Sequence, residues 1–404
     1  MKKKYTISYI EKIVGILFAG LFLFFGQSMS LFSQVIVPFT PRTSVYTPTK
    51  TIYNIKGDFT MIGNTNLTLA NYSNSGSNSE SMTYVDVDSE SSTLNSSSAH
   101  LQLSSENGAD PECSNIVYAG LYWTGRSHNG GISPQTFQVT KNSVTANFDK
   151  RSVLLKGPGA SNYSTISASA SDIYYPNTNH GQMYSAYAEV TDYVKQYGVG
   201  EYFVANIALQ EGRGGNTGYY GGWGLIVVYE NSKMNWRDVI IFDGHAYVAG
   251  NITADYSIPI SGFNTAQSGD VNMKLGMIAG EGDRSISGDE FEIRNHTNTN
   301  WINLNHSNNS ATNFFNSSIF TGGNPRNPNL INNTGLDISM FNIPNTGNSV
   351  ITNNQTSVNF RYGSTQDTYV IMTFAMSVDA YIQHLNHRHR LSALTMFLTF
   401  LEIH

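Results

Sequence analysis

The chain has 404 residues and a formal net charge of −6, and only 13% of the residues are charged. An acidic surface repels phosphate backbones, which argues against a nucleic-acid partner, and the single cysteine, Cys113, excludes a disulfide scaffold within the chain. Asn, Ser, Thr and Gly are abundant, which suits an uncharged polar surface over β-structure better than a helical enzyme.

Lys2, Lys3 and Lys4 open the chain, an apolar run follows from Ile13 to Phe25, and Gly26 to Gln34 is rich in small residues. Basic, apolar and small-residue regions in that order form a secretory signal peptide. The apolar run is too short to span a bilayer, for which a helix needs roughly 20 residues. Residues 1–33 are therefore expected to be removed, after Ser30 or Ser33. Loss of Lys2, Lys3, Lys4, Lys12 and Glu11 then moves the charge from −6 to −9. The mature protein is expected to be secreted or on the cell surface, with no transmembrane span.

Strand signals follow in chain order. Asp58–Ile62, Asn66–Leu69 and Met82–Asp88 alternate between apolar and polar, separated by Gly63 and a Ser/Asn/Gly cluster. Ile116–Trp123 has no charge and is dominated by β-branched and aromatic residues, the pattern of a strand buried on both faces. Thr136–Thr140 alternates, and Ser152–Leu155 ends in the turn Lys156–Gly159. Thr191 is placed to cap a short helix reaching Tyr197, with Gly198 as its stop. Tyr202–Leu209 and Trp223–Glu230 are further strands, joined by the glycine-rich stretch Glu211–Gly222, expected as a hairpin connection. A second series runs Val239–Phe242, Ala246–Val248, Asp255–Ile258, Lys274–Ile278 and Tyr369–Val378, with Asn-rich loops from Asn295 to Asn354. The expectation is all-β: two antiparallel β-sandwich, jelly-roll-like lobes, 34–232 and 233–381, with one short helix.

Few residues carry chemistry. Neither a Gly-x-Ser-x-Gly elbow nor a His-Glu-x-x-His zinc motif occurs. Gly212–Gly218 lacks the spacing of a phosphate cradle, because Thr217 stands where a third glycine belongs. Cys113 has Asp110 and Glu112 beside it, which disfavour a thiolate, so a bland, partly buried cysteine is expected. The acidic stretch Glu281–Glu290 offers Glu281, Asp283 and Asp289 as hard oxygen ligands in a glycine-containing loop, a candidate calcium site without EF-hand spacing. A glycosidase needs two carboxylates across a cleft; Glu211, Glu230, Glu281 and Asp289 are available, but no spacing selects a pair. Tyr219, Tyr220 and Trp223 are either a sugar-stacking platform or ordinary packing. After Tyr381 the composition changes, with His384, His387, His389 and His404 among apolar residues. Residues 382–404 are either a metal-binding tract or an aberrant or truncated tail, such as a displaced reading frame gives, and the second is expected.

Ile116–Arg126, Trp223–Glu230 and Gly280–Asp283 together resemble the amino-terminal region of large adhesin-like surface proteins of Bacteroidota. The resemblance covers residues 50–381. It implies a part of a larger surface protein in which this region precedes immunoglobulin-like repeats and a carboxy-terminal sorting domain, an architecture linked with type IX secretion and gliding motility. It carries no catalytic residues. Tyr187–Val194 also resembles jelly-roll carbohydrate-binding modules. The expected function is a non-catalytic, adhesin-like binding module for an extracellular glycan or protein. The alternative is a secreted glycan-degrading enzyme or carbohydrate-binding module.

Overall fold

The computed structural model describes residues 35–126, 136–174, 182–249 and 256–381. Residues 1–33, expected as a signal peptide, and 382–404, expected as an aberrant tail, lie outside the described residues.

In chain order the first strands are β1 (Val35–Pro41), β2 (Tyr53–Thr65), β3 (Leu67–Leu69), β4 (Met82–Tyr84), β5 (Ser96–Leu101) and β6 (Asn115–Arg126). Then come β7 (Thr136–Lys141), β8 (Val144–Asp149), β9 (Ser152–Lys156), β10 (Ser164–Ser167), β11 (Ile173–Tyr174) and β12 (Met183–Glu189). The helix α1 (Thr191–Tyr197) leads to β13 (Gly200–Ala205), β14 (Gly221–Glu230), β15 (Trp236–Val248), β16 (Tyr256–Ser261), β17 (Met273–Gly280) and β18 (Asp289–Arg294). The last are β19 (Trp301–Asn303), β20 (Ile319–Phe320), β21 (Arg326–Asn327), β22 (Leu336–Asn342), β23 (Ser357–Ser364) and β24 (Tyr369–Asp379). The protein is all-β and sandwich-like, as expected, with α1 the one α-helix among the described residues.

One large sheet runs through the molecule in the order β11-β12-β6-β14-β2-β15-β24-β17-β22-β20, and β1 adds to β15. Its two halves join where β2 pairs with β15 over four residues, Tyr53–Lys56 against Trp236–Val239. The smaller sheet β10-β9-β13-β5-β21 covers the first half and β16-β23-β18-β19 covers the second. Each smaller sheet encloses a core with the half it covers. One core is drawn from residues 62–234, centred on Trp123 and Trp223, and the other from residues 240–378, centred on Phe291, Phe360 and Phe374.

A third core explains the strands that are apolar on both faces. Alternate residues of β14 go to different layers: Trp223, Leu225 and Val227 to the first core, Ile226 and Val228 to the third. The third core also takes Phe59, Met61, Ile278, Leu336 and Ile338, so the backs of the two half-sheets pack on each other. Glycines permit the approach. A Cβ added at Gly224 would stand 2.4 Å from Ile278 Cδ1, and one at Gly276 would stand 2.4 Å from Met61 Sδ. The layers therefore run small sheet, half-sheet, half-sheet, small sheet. The halves also exchange segments. β1 joins β15, with Phe39 and Ile52 packing on the second core, while β21 pairs with β5 in the first.

Three local expectations change. Val190, not Thr191, is the N-cap of α1, and no side chain caps it. The Thr191 hydroxyl instead accepts from the Ala119 N–H (3.0 Å) and donates to Glu189 (2.7 Å). Gly198 does end the helix, at φ 70°. Glu211–Gly222 is not a hairpin connection: β13 and β14 lie in different sheets, and the Arg126 guanidinium clamps the stretch by donating to the Gly214 and Gly218 carbonyls at 2.6 and 2.5 Å. Cys113 is exposed rather than partly buried.

Candidate functional site

Arg42 follows β1 and reaches over the large sheet where β11 and β12 border it. Its Nη1 donates to Asp172 Oδ1 at 2.8 Å and its Nε donates to Asp243 Oδ2. The guanidinium lies 4.0 Å from the centroid of the Tyr187 ring, a cation–π contact. Asp243 sits at an irregularity of β15, where pairing with β24 shifts between Asp243 and Ala246. Such bulges re-aim side chains out of the ladder. Asp243 Oδ1 accepts from the Tyr122 hydroxyl (2.8 Å) and the Thr373 hydroxyl (3.0 Å). Burial pushes the Asp243 carboxyl above the usual aspartate range, against the opposing pull of Arg42 and the Tyr122 and Thr373 hydroxyls. Arg42 itself stays protonated at any accessible pH.

These groups line a cavity of about 190 Å³, whose wall also holds Tyr174, Ser185 and His245. His245 Nδ1 and Ser185 Oγ are 2.6 Å apart, and the Tyr174 ring lies 4.2 Å from the imidazole centroid. Arg42, Asp172 and Tyr187 also border a second hollow of about 440 Å³, shared with Tyr46, Glu189, Asp192 and Tyr193. Together they form a cleft. Its outer lip is the 43–46 segment, where Tyr46 is 59% exposed although its hydroxyl donates to Asp192. Glu189 holds that lip by accepting from the Ser44 hydroxyl (2.7 Å) and the Val45 N–H (2.8 Å).

The residues expected from sequence lie elsewhere. Tyr219, Tyr220 and Trp223 are buried at 1%, 0% and 0% exposure, so they offer no open face to a sugar and the stacking-platform expectation is corrected. Trp223 Nε1 donates to Ser97 Oγ (2.9 Å) inside the first core, Tyr219 lies below Arg126, and Tyr220 packs with Met183 and Val370. Glu281, Asp283 and Asp289 are also buried rather than solvated. Among the described residues, no three His, Cys, Asp or Glu side chains group closely enough to hold a metal ion by themselves. Glu211 accepts from Lys141 Nζ (2.7 Å), and Glu230 accepts from Asn115 Nδ2 (3.1 Å). These two carboxylates answer to different partners and frame no common cleft.

Sequence reasoning missed Arg42, Asp172 and Asp243. A charge next to the apolar run Val239–Phe242 was a signal for Asp243. Arg42 and Asp172 sit in short polar segments that look like any loop.

No protein-family model and no curated protein matches the chain. Among solved structures it is similar to PNGase F, a glycosylasparaginase from Flavobacterium meningosepticum, at 10% identity and TM-score 0.19, over 79% of this chain and 96% of that one. It is similar to PNGF-II at 10% identity and TM-score 0.21, over 79% of this chain and 65% of that one. The major capsid protein P2 of bacteriophage PM2 aligns at 10% identity and TM-score 0.19, over 80% and 99%. Likeness at this level carries no argument about what the chain does.

Proposed function

We infer that the chain is the amino-terminal binding module of a secreted or surface-attached adhesin-like protein, with a glycan or protein ligand and no reaction of its own. The cleft around Arg42 is the ligand site in this reading. The observation that carries it is the state of the carboxylates there. Asp243 is held by Arg42, Tyr122 and Thr373, Asp172 by Arg42 and Ser169, and Glu189 by Ser44, Val45 and Thr191. Carboxylates tied down in this way shape a surface. A glycosidase keeps two for proton transfer and nucleophilic or base work at the scissile bond. The exposed Tyr46 ring at the lip is the kind of flat face on which a pyranose packs. The strands that carry the adhesin resemblance, β6 and β14, pair along their length in the middle of the large sheet and so belong to the scaffold.

The test is a binding screen of exported protein against immobilised polysaccharides and matrix proteins, with Tyr46→Ala alongside. Binding should fall at least about tenfold in the variant with Tm unchanged, since an exposed side chain contributes little to stability. Release of new reducing ends from any bound polysaccharide would replace this reading with the enzyme. Export itself is checked by amino-terminal sequencing, and mature protein starting at Met1 would refute it.

A further inference from the structure

The far end of the second half carries a different unexplained feature. The 281–289 loop, the 313–318 segment, the start of β22 and the turn after β23 bring buried carboxylates together. Asp289 is 0% exposed, Asp337 3% and Asp367 1%. One oxygen of each of the first two is satisfied: Asp289 Oδ2 accepts from the Phe315 N–H (2.6 Å) and Asp337 Oδ1 from the Ser318 N–H (2.9 Å). Asp289 Oδ1 and Asp337 Oδ2 are buried with no hydrogen-bond partner.

The neighbouring asparagines repeat the pattern. Asn316 donates its Nδ2 to the Asn308 carbonyl (3.0 Å), and Asn313 donates its Nδ2 to the Arg284 carbonyl (3.3 Å). Those bonds fix which end of each amide is oxygen, and both Oδ1 atoms, with Ser318 Oγ, are left buried and unpartnered. Asn316 and Ser318 are more than nine-tenths buried. Several buried oxygens without donors form an arrangement that protein groups alone leave costly. Two carboxylate oxygens with amide and hydroxyl oxygens in a loop are the donor set of a hard cation. Asp289 and Asp337 both lie against the 315–318 segment, and two carboxylates buried beside one segment repel each other, a repulsion that a cation would relieve.

We propose that Asp289 and Asp337, with the side-chain oxygens of Asn316 and Ser318, bind a Ca²⁺ ion that staples the 313–318 segment to β18 and β22. The proposal is independent of what the Arg42 cleft binds. It keeps Asp289 from the calcium expectation and moves the centre away from Glu281 and Asp283, whose links run to Asp367. The Asp283 N–H donates to Asp367 Oδ2 at 2.9 Å.

The experiment compares the full chain, Asp337→Asn and the Asp289→Asn/Asp337→Asn double variant in Ca²⁺ and in chelator, by thermal melting and by equilibrium dialysis against Ca²⁺ alone. In the parent, Ca²⁺ at about a hundred times Kd should raise Tm by about 4 °C, with one ion retained per chain. Asp337→Asn should lose both effects. The double variant should melt in chelator at or above the parent, because neutral amides remove the repulsion, which shows that it folds. A parent indifferent to Ca²⁺ that retains no ion would overturn the proposal. Binding that persists in the double variant would also overturn it, by placing the ion elsewhere.

Discussion

Arg42 is the group whose removal reports most directly on the cleft. Arg42→Met keeps most of the side chain's length but withdraws the charge from Asp243 and Asp172. Breaking a buried ion pair by removing one partner costs about 3–5 kcal/mol, because the other charge stays behind uncompensated. The Arg42 side chain is 24% exposed, against 12% for Asp243, so water meets part of the loss. About 2–3 kcal/mol is the expected cost. For a folded chain of roughly 350 residues the unfolding entropy is about 0.7 kcal/mol/K, which makes this a fall in Tm of about 3–4 °C. The variant also gains a pH signature. Asp243 already titrates above its unfolded value, and without Arg42 it rises further. A raised folded pKa means that the folded state holds the proton longer, so stability is present at acid pH and is lost as pH rises through the folded pKa. Arg42→Met should therefore approach the parent at low pH and diverge toward neutrality. Adding Asp243→Asn should recover at least about 1 kcal/mol, with a double-mutant cycle assigning that term to the pair. Melting curves across pH measure all of this. A drop below about 1 °C at neutral pH, or a double variant as poor as the sum of the singles, would refute the view of Arg42 as the organiser of the cleft.

Gly224→Val tests the back-to-back packing of the half-sheets: the new side chain collides with Ile278 and should cost about 1–3 kcal/mol, with Ile278→Ala in the same chain recovering part of it. Unchanged melting of Gly224→Val would mean that the halves do not touch there. His306 lies among Phe314, Phe320 and Phe341, with Nε2 2.9 Å from Ser339 Oγ, and burial pushes its pKa down to about 4. The unfolded state then takes up the proton first, so this contribution is intact above about pH 6.5 and is lost as pH falls toward 4. His306→Gln should flatten that slope in pH-dependent denaturation, and an identical slope would assign it to other groups.

Much of the strand content was legible in the chain. Uncharged runs dominated by β-branched and aromatic residues, such as Ile116–Trp123, Trp223–Tyr229 and Tyr369–Val378, have no stable place except inside a sheet covered on both faces, and each became a central strand. Gly198 ended its helix because a left-handed residue there costs glycine nothing. What alternation along a strand does not encode is the identity of the layer on either side. Ile226 and Trp223 are equally apolar to a local reading, yet one belongs to the core between the half-sheets and the other bonds Ser97 of the covering sheet. For the same reason Tyr219, Tyr220 and Trp223 could be read as an exposed platform until the fold buried Tyr219 and Trp223 in the first core and Tyr220 beside Met183 and Val370. The cleft and the carboxylate cluster lay further out of reach. Arg42, Asp172 and Asp243 come from three separate segments, and Asp289 and Asp337 from two more. The pairing of β1 with β15 and of β11 with β12 brings the first three to one place, and the 315–318 segment, bonded to both Asp289 and Asp337, brings the other two together. Local composition fixes what a residue can do; long-range strand pairing, which closes loops of a hundred residues and more at modest entropic cost, decides which residues do it together.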